Sequence, residues 1–240
     1  MTPSIASFAP PSGYSRVKVV HSFNELVTTP FAHGVNALCW TRTLPGNFAE
    51  VLEHLKFSEG INPLDEALLR ALPLSAEGKM AVEVMLEDQN LLRSAGLEPV
   101  LDCICGYPHD DETEIVSTDV YSFHADSAPV EADTYLCSYN APSSEGLRNE
   151  EALRRVDISQ TRAALLENWG GEEDDAFCEY LRESCYDLHY AALPGAEPFC
   201  FGVGNLWRIA VEYPGSPVPP CIHRAPRTHS GQPPRLLLIS

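Results

Sequence analysis

The chain has 240 residues, 44% hydrophobic and 21% charged, which suits one folded domain with a sizeable core and excludes a disordered segment. Its formal charge of −18 sets the surface against phosphate backbones and anionic lipid, so nucleic acid and membrane surfaces are disfavoured as partners. No apolar run approaches the roughly 20 residues needed to span a bilayer, and residues 1–15 read as a flexible Pro- and Ser-rich tail without the features of a secretory signal, as expected of a cytoplasmic protein.

From the N-terminal side, residues 16–20 form a strand candidate, and Ser22 is placed to cap a helical turn at 23–26. A second strand is expected at 36–40. Asn47 precedes a stretch of helical apolar spacing at 48–55, and 65–72 reads as another helix. The longest helix is expected at 77–92, with Met80, Val84 and Leu91 among its apolar positions and Gly96 ending it. Residues 16–98 therefore read as mostly helical support.

The pattern then changes. Strands are expected at 99–105, 120–126 and 134–140, the first closed by Gly106-Tyr107-Pro108. A helical insertion follows at 149–190, with helices at 149–156, 159–169 and 174–190. The acidic run at 170–175 suits the solvated start of the last of these. Strand signals return at 198–203, 206–213, 221–223 and 235–240. Helices first, then strands with a helical excursion, define an α+β chain with a single domain at 16–240. Strands that point polar ligands inward fit a double-stranded β-helix, or jelly roll, over 99–240.

The eight cysteines, without an export signal, read as free buried thiols. Cys103 and Cys105, with His109 downstream, lack the CxxC partner that a structural zinc site would need. Gly202-Val203-Gly204 reads as a turn, and no nucleophile elbow, HExxH or Walker loop is present.

In a strand, residues i and i+2 share a face, so His124 and Asp126 can reach one metal from one strand. A third ligand must come from elsewhere, and His223, late in the chain, is the choice. Two imidazoles and one carboxylate hold one face of Fe(II) and leave positions open for chemistry. His109-Asp110-Asp111 repeats the spacing in a polar turn and reads as solvated loop. His229 is a rival ligand in a poorly aimed loop, and His189 is expected on a helix in a structural role. Arg235 supplies a planar cation able to grip a carboxylate with two hydrogen bonds, with Arg224 and Arg227 as alternatives. Phe201 and Trp207, apolar strand residues, suit either core or pocket lining.

Tyr121-Ser122-Phe123-His124-Ala125-Asp126 resembles the Tyr-x-x-His-x-Asp motif of prolyl-hydroxylase-like Fe(II)/2-oxoglutarate-dependent dioxygenases. His223-Arg224-Ala225-Pro226, followed by Arg235-Leu236-Leu237-Leu238, is similar to the ending of uncharacterised bacterial proteins with this layout. The resemblance covers about 120–240. It implies Fe(II) on His124, Asp126 and His223, with 2-oxoglutarate as cosubstrate. It further implies Arg235 on the distal carboxylate, with a hydroxyl added by Tyr121 or Tyr139. The reaction implied is oxidative decarboxylation coupled to hydroxylation of a small-molecule or amino-acid-like substrate. The chain departs from the family at Leu237, where an Arg-x-Ser pairing would have its Ser, and in a long spacing of twelve residues from His223 to Arg235. Spacing alone reaches only a three-ligand metal site. A cupin-like metalloprotein without 2-oxoglutarate and a non-catalytic jelly-roll scaffold stand as the alternatives. Neither the substrate nor the oligomeric state is legible in the sequence.

Overall fold

Two facing sheets organise the protein in a computed structural model that describes residues 8–107, 114–227 and 232–240. The strands of the first half are β1 (Val17–Val20), β2 (Ala37–Trp40), β3 (Ile61–Pro63), β4 (Val100–Ile104), β5 (Phe123–His124) and β6 (Asp133–Ser138). Then come β7 (Glu145–Leu147), β8 (Ala152–Arg154), β9 (His189–Ala192), β10 (Phe199–Cys200), β11 (Leu206–Ala210), β12 (Ile222–Arg224) and β13 (Arg235–Ile239). A seven-stranded sheet has the order β1-β2-β11-β6-β13-β4-β3, and a six-stranded sheet the order β10-β7-β12-β5-β9-β8. All pairings are antiparallel except β1 with β2.

Six α-helices accompany the sheets among the described residues: α1 (Phe23–Thr28), α2 (Phe48–His54), α3 (Glu66–Arg70), α4 (Ala76–Ser94), α5 (Ser159–Trp169) and α6 (Asp175–Glu183). The first four start where a side-chain oxygen of Ser22, Asn47, Asp65 or Ser75 accepts a backbone N–H that the helix leaves unpaired. In α4 the buried stripe runs through Ala81, Val82, Met85, Leu86, Gln89 and Leu92. Met80, expected on this face, is exposed. The stripe packs with Leu101, Cys103, Tyr135, Leu236 and Leu238 from one face of the seven-stranded sheet.

Alternation sends Ile104, Leu136, Trp207, Ile209 and Leu237 to the sheet's other face. There they meet Phe199, Phe201 and Cys221 in a second apolar layer. The result is an α+β protein with a sandwich-like core, α1–α4 on the outer side of the seven-stranded sheet, and α5 and α6 in a separate apolar cluster with Val116 and Val156. Among the described residues no helix is long and apolar enough to cross a membrane.

Several expectations need correction. Helices predominate among the elements of 16–98, with the two expected strands β1 and β2; the short strand β3 is unexpected, and all three belong to the seven-stranded sheet. The tail is packed from Phe8 onward: Phe8 meets Trp207 edge-on at 4.8 Å, and the Tyr14 hydroxyl donates to Asn149 Oδ1. The insertion is not purely helical. Its first expected helix is two 3-10 turns around β8, and its last stops at Glu183. Cys185 then takes a left-handed conformation (φ 57°), and the chain continues through a 3-10 turn into β9, which pairs with β5. The strand expected at 120–126 shortens to Phe123–His124. All eight cysteines are free, but Cys178, Cys185 and Cys200 are exposed. His109, Asp110, Asp111 and His229 lie outside the described residues.

Candidate metal centre

β5 and β12 lie side by side in the six-stranded sheet, with His124 and His223 as register partners. They therefore point to the same face, and their ring centroids are 4.6 Å apart. Asp126 follows β5 and stands between them. Its Oδ1 is 3.8 Å from His124 Nε2, and its Oδ2 is 3.8 Å from His223 Nε2. One ligand atom from each residue lies within 4.8 Å of the other two. The structure thus brings together the three residues singled out in the sequence.

Both imidazoles are oriented the same way. His124 Nδ1 donates to the Ser122 carbonyl at 2.8 Å, and His223 Nδ1 donates to the Cys221 carbonyl at 3.3 Å. A carbonyl only accepts, so each Nδ1 carries a proton and each Nε2 is turned towards Asp126. Thr134, on β6 of the opposite sheet, donates its hydroxyl to Asp126 Oδ2 at 2.5 Å. Such outer partners fix ligand orientation in metal sites.

Burial, reinforced by His223, lowers the His124 pKa to about 4, so that imidazole is neutral near pH 7. Burial alone would raise the Asp126 carboxyl. His223, the Thr134 hydroxyl and His124 outweigh it and hold the carboxyl below its usual range. A neutral His124 and an ionised Asp126 are protonation states a divalent metal needs. The two imidazoles and the carboxylate, oriented as they are, fit a metal such as Fe(II).

Arg235 opens β13 and is only 1% exposed. Its Nη2 donates to Ser138 Oγ at 3.3 Å and to Ser144 Oγ at 3.2 Å. Ser144 immediately precedes β7, so the guanidinium crosses from the seven-stranded sheet towards the six-stranded one. Among the described residues its Nε has no hydrogen-bond partner, and no carboxylate pairs with it. Burial pushes the guanidinium below the ordinary arginine range, with the phenols of Tyr107 and Tyr121 opposing that shift. Ser138 is the register partner of Leu237 across the β6–β13 ladder.

The two expected tyrosines part company. Tyr121 is buried, and its hydroxyl accepts the Tyr107 N–H at 2.9 Å, on the Arg235 side. Tyr139 faces the helices instead and donates to Asp88 at 2.8 Å. Asp88 in turn is held by both Nη atoms of Arg42. Alternation explains the correction: Ser138 faces the layer between the sheets, so Tyr139 must face away. Phe201 and Trp207 stack at 4.2 Å in that layer, and Phe201 lies 6.5 Å from His223. Arg224 is ion-paired with Glu145.

Sequence reasoning missed Thr134, Ser138, Ser144 and Tyr107, which carry no spacing signal. It also misplaced His189. On β9 that residue is the register partner of His124, with rings 5.7 Å apart, and its Nδ1 lies 2.7 Å from Ser122 Oγ. The turn that frees it from the helix has Cys185, rather than Gly or Asn, at the left-handed position, so nothing in the sequence marks the stop.

Comparison of the chain with protein-family models, with curated proteins and with solved structures returns no match.

Proposed function

We propose that the protein is a non-haem Fe(II)- and 2-oxoglutarate-dependent oxygenase with a jelly-roll core, acting on a small-molecule substrate. The observation that carries this reading is a buried guanidinium, Arg235, without an acidic partner among the described residues, in the same protein as an oriented His-Asp-His cluster. A buried charge without a counterion costs several kcal/mol. An anionic cosubstrate would offset that cost, whereas a metal centre without a cosubstrate, or a scaffold, has no use for the cation.

His124, Asp126 and His223 would hold the metal, their Nδ1–carbonyl bonds and Thr134 keeping the donor atoms aimed. When bound, Fe(II) would supply activation of dioxygen, coupled to decarboxylation of 2-oxoglutarate and oxidation of the substrate. Arg235 would grip the distal carboxylate of 2-oxoglutarate, steadied by the hydroxyls of Ser138 and Ser144. Tyr121 lies on that side and would be an auxiliary contact; Tyr139, committed to Asp88, has no part. The Phe201–Trp207 stack keeps the layer between the sheets apolar beside His223.

The test is an anaerobic titration with Fe(II) and then 2-oxoglutarate, followed by visible absorption. A weak charge-transfer band that appears with 2-oxoglutarate and is lost in His223→Ala supports the reading. Iron binding without the band makes the site a metal centre of another kind. No metal binding leaves a scaffold.

A further inference from the structure

The outer face of the six-stranded sheet carries a cleft of about 560 Å³, on the opposite side of β5 and β12 from the metal ligands. Alternation sets this: His124 and His223 point inward, so their neighbours Phe123 and Arg224 point outward. The Arg224 guanidinium lies over the Phe123 ring at 4.2 Å, which puts both on one face. Tyr190, the register partner of Phe123, adds a second aromatic side chain. The insertion supplies the far wall through Arg155, Tyr190 and Ala192.

The charge of this cleft runs against that of the whole chain. Lys and Arg number 16 against 34 Asp and Glu, yet among the described residues Arg155, Arg224 and Arg227 line the cleft with Asp119 as the one acid. The Asp119 carboxylate already accepts the backbone N–H groups of Tyr121 and Ser122. Arg224 is shared with Glu145. Among the described residues, Arg155 and Arg227 make no ion pair, and the buried Nε of Arg155 has no hydrogen-bond partner. A buried donor left unpaired is costly, and a guanidinium matches the oxygens of phosphate and carboxylate.

We propose that this cleft binds a small organic polyanion carrying two or more phosphate or carboxylate groups. Arg155 and Arg227 grip its charged groups, Arg224 adds a third cation, and Tyr190 and Ala192 face its apolar body. The volume falls in the range of roughly 300–1,000 Å³ usual for small-molecule sites. Tyr121 and Ser122 also line the cleft, but the proposed contacts are made on the face of β5 and β12 away from the metal ligands and do not depend on the metal's chemistry.

Calorimetric titration of the whole protein with pyrophosphate, and separately with citrate, at fixed ionic strength tests this. Saturable binding of at least one is expected, weakened by about tenfold or more in Arg155→Gln/Arg227→Gln and unchanged in Arg235→Leu. Binding of pyrophosphate alone would assign a phosphorylated ligand, and of citrate alone a polycarboxylate. Arg227→Glu, at an exposed position, should weaken binding in the same direction even if the Arg155 change disturbs folding. No saturable binding of either probe, binding that survives both the double substitution and Arg227→Glu, or binding abolished by Arg235→Leu would overturn the proposal. The last result would place the anion at Arg235 instead.

Discussion

His223 and His124 face each other as register partners across the β12–β5 ladder, and each turns its Nδ1 back onto the carbonyl two residues earlier in the chain. The two Nε2 atoms are thereby aimed at Asp126 by local backbone alone. The remaining freedom belongs to the carboxylate, and only its contact with Thr134 comes from the other sheet.

Thr134→Val should therefore leave the fold intact and weaken divalent-metal affinity by about 10- to 100-fold, the usual effect of losing an outer hydrogen bond to a ligand. Competition between Co(II) and a chromophoric chelator would measure this. An affinity equal to wild type would mean that Asp126 needs no support from the opposite sheet.

Arg235→Leu removes a buried cation whose partners here are two serine hydroxyls. Replacing poorly compensated buried charge with apolar volume is commonly neutral or stabilising, by about 1–4 kcal/mol. The variant should unfold at the same or higher urea concentration, keep its metal affinity and lose the 2-oxoglutarate-dependent absorption band. A marked drop in stability would show that Arg235 is compensated without a ligand and that the cosubstrate argument fails.

Tyr139 and Asp88 test the reassignment on the helix side. Asp88 carries an ion pair with Arg42 and accepts the Tyr139 hydroxyl, all nearly out of solvent. Asp88→Ala strands the Arg42 guanidinium and should cost about 3–5 kcal/mol, while Tyr139→Phe should cost about 1 kcal/mol. Urea unfolding measures both. Neither should change the metal or 2-oxoglutarate affinity of the folded protein; a specific loss of 2-oxoglutarate binding in Tyr139→Phe would contradict the structure.

How much of this was legible follows from what each residue depends on. His124 and Asp126 lie two apart on an extended segment, so local alternation was enough to pair them. His223 could be nominated because its segment reads as a strand. Which strand lay beside β5 was a matter of topology, and the neighbour on its other side, β9, was hidden in a stretch that reads as helix. Arg235 could be picked for its charge and place, but its lack of a counterion among the described residues is visible only once the sheets are packed. Tyr121 and Tyr139 looked equivalent because each adjoins a strand carrying polar residues. Side-chain parity on β6 decided between them, and fixing that parity required the β6–β13 register, in which Leu237 meets Ser138.

The pH dependence of the metal-free protein follows from His124. Its pKa falls from 6.5 to about 4 on folding, chiefly through burial. Between those values the unfolded chain binds a proton that the folded state refuses, so stability is complete above pH 6.5 and is lost as the pH falls towards 4. The loss from this group is on the order of 3 kcal/mol. Asp126, also held low, adds a loss of the same sign on further acidification. Urea midpoints measured through this window should fall in wild type and fall less in His124→Gln. Parallel curves for the two proteins would mean that the folded imidazole accepts protons freely.

Gly146 ties the aromatic stack to a metal ligand. It is the β7 partner of His223, and a Cβ there would run into Phe199 Cζ and stand 2.8 Å from Phe201 Cε1. Both are ring atoms, so relief requires moving whole rings rather than a flexible chain end. Phe201 is also held by its stack on Trp207, whose Nε1 donates to the Phe201 carbonyl. Its ring also neighbours those of Phe199 and His223. Gly146→Ala should therefore cost about 1–3 kcal/mol from overpacking and weaken metal binding as well, because strain at the aromatic stack is passed to a ligand. Urea unfolding and metal competition on the same variant separate the two effects. Lower stability with unchanged metal affinity would show that the rings yield away from His223 and that the ligand is held by its own strand alone.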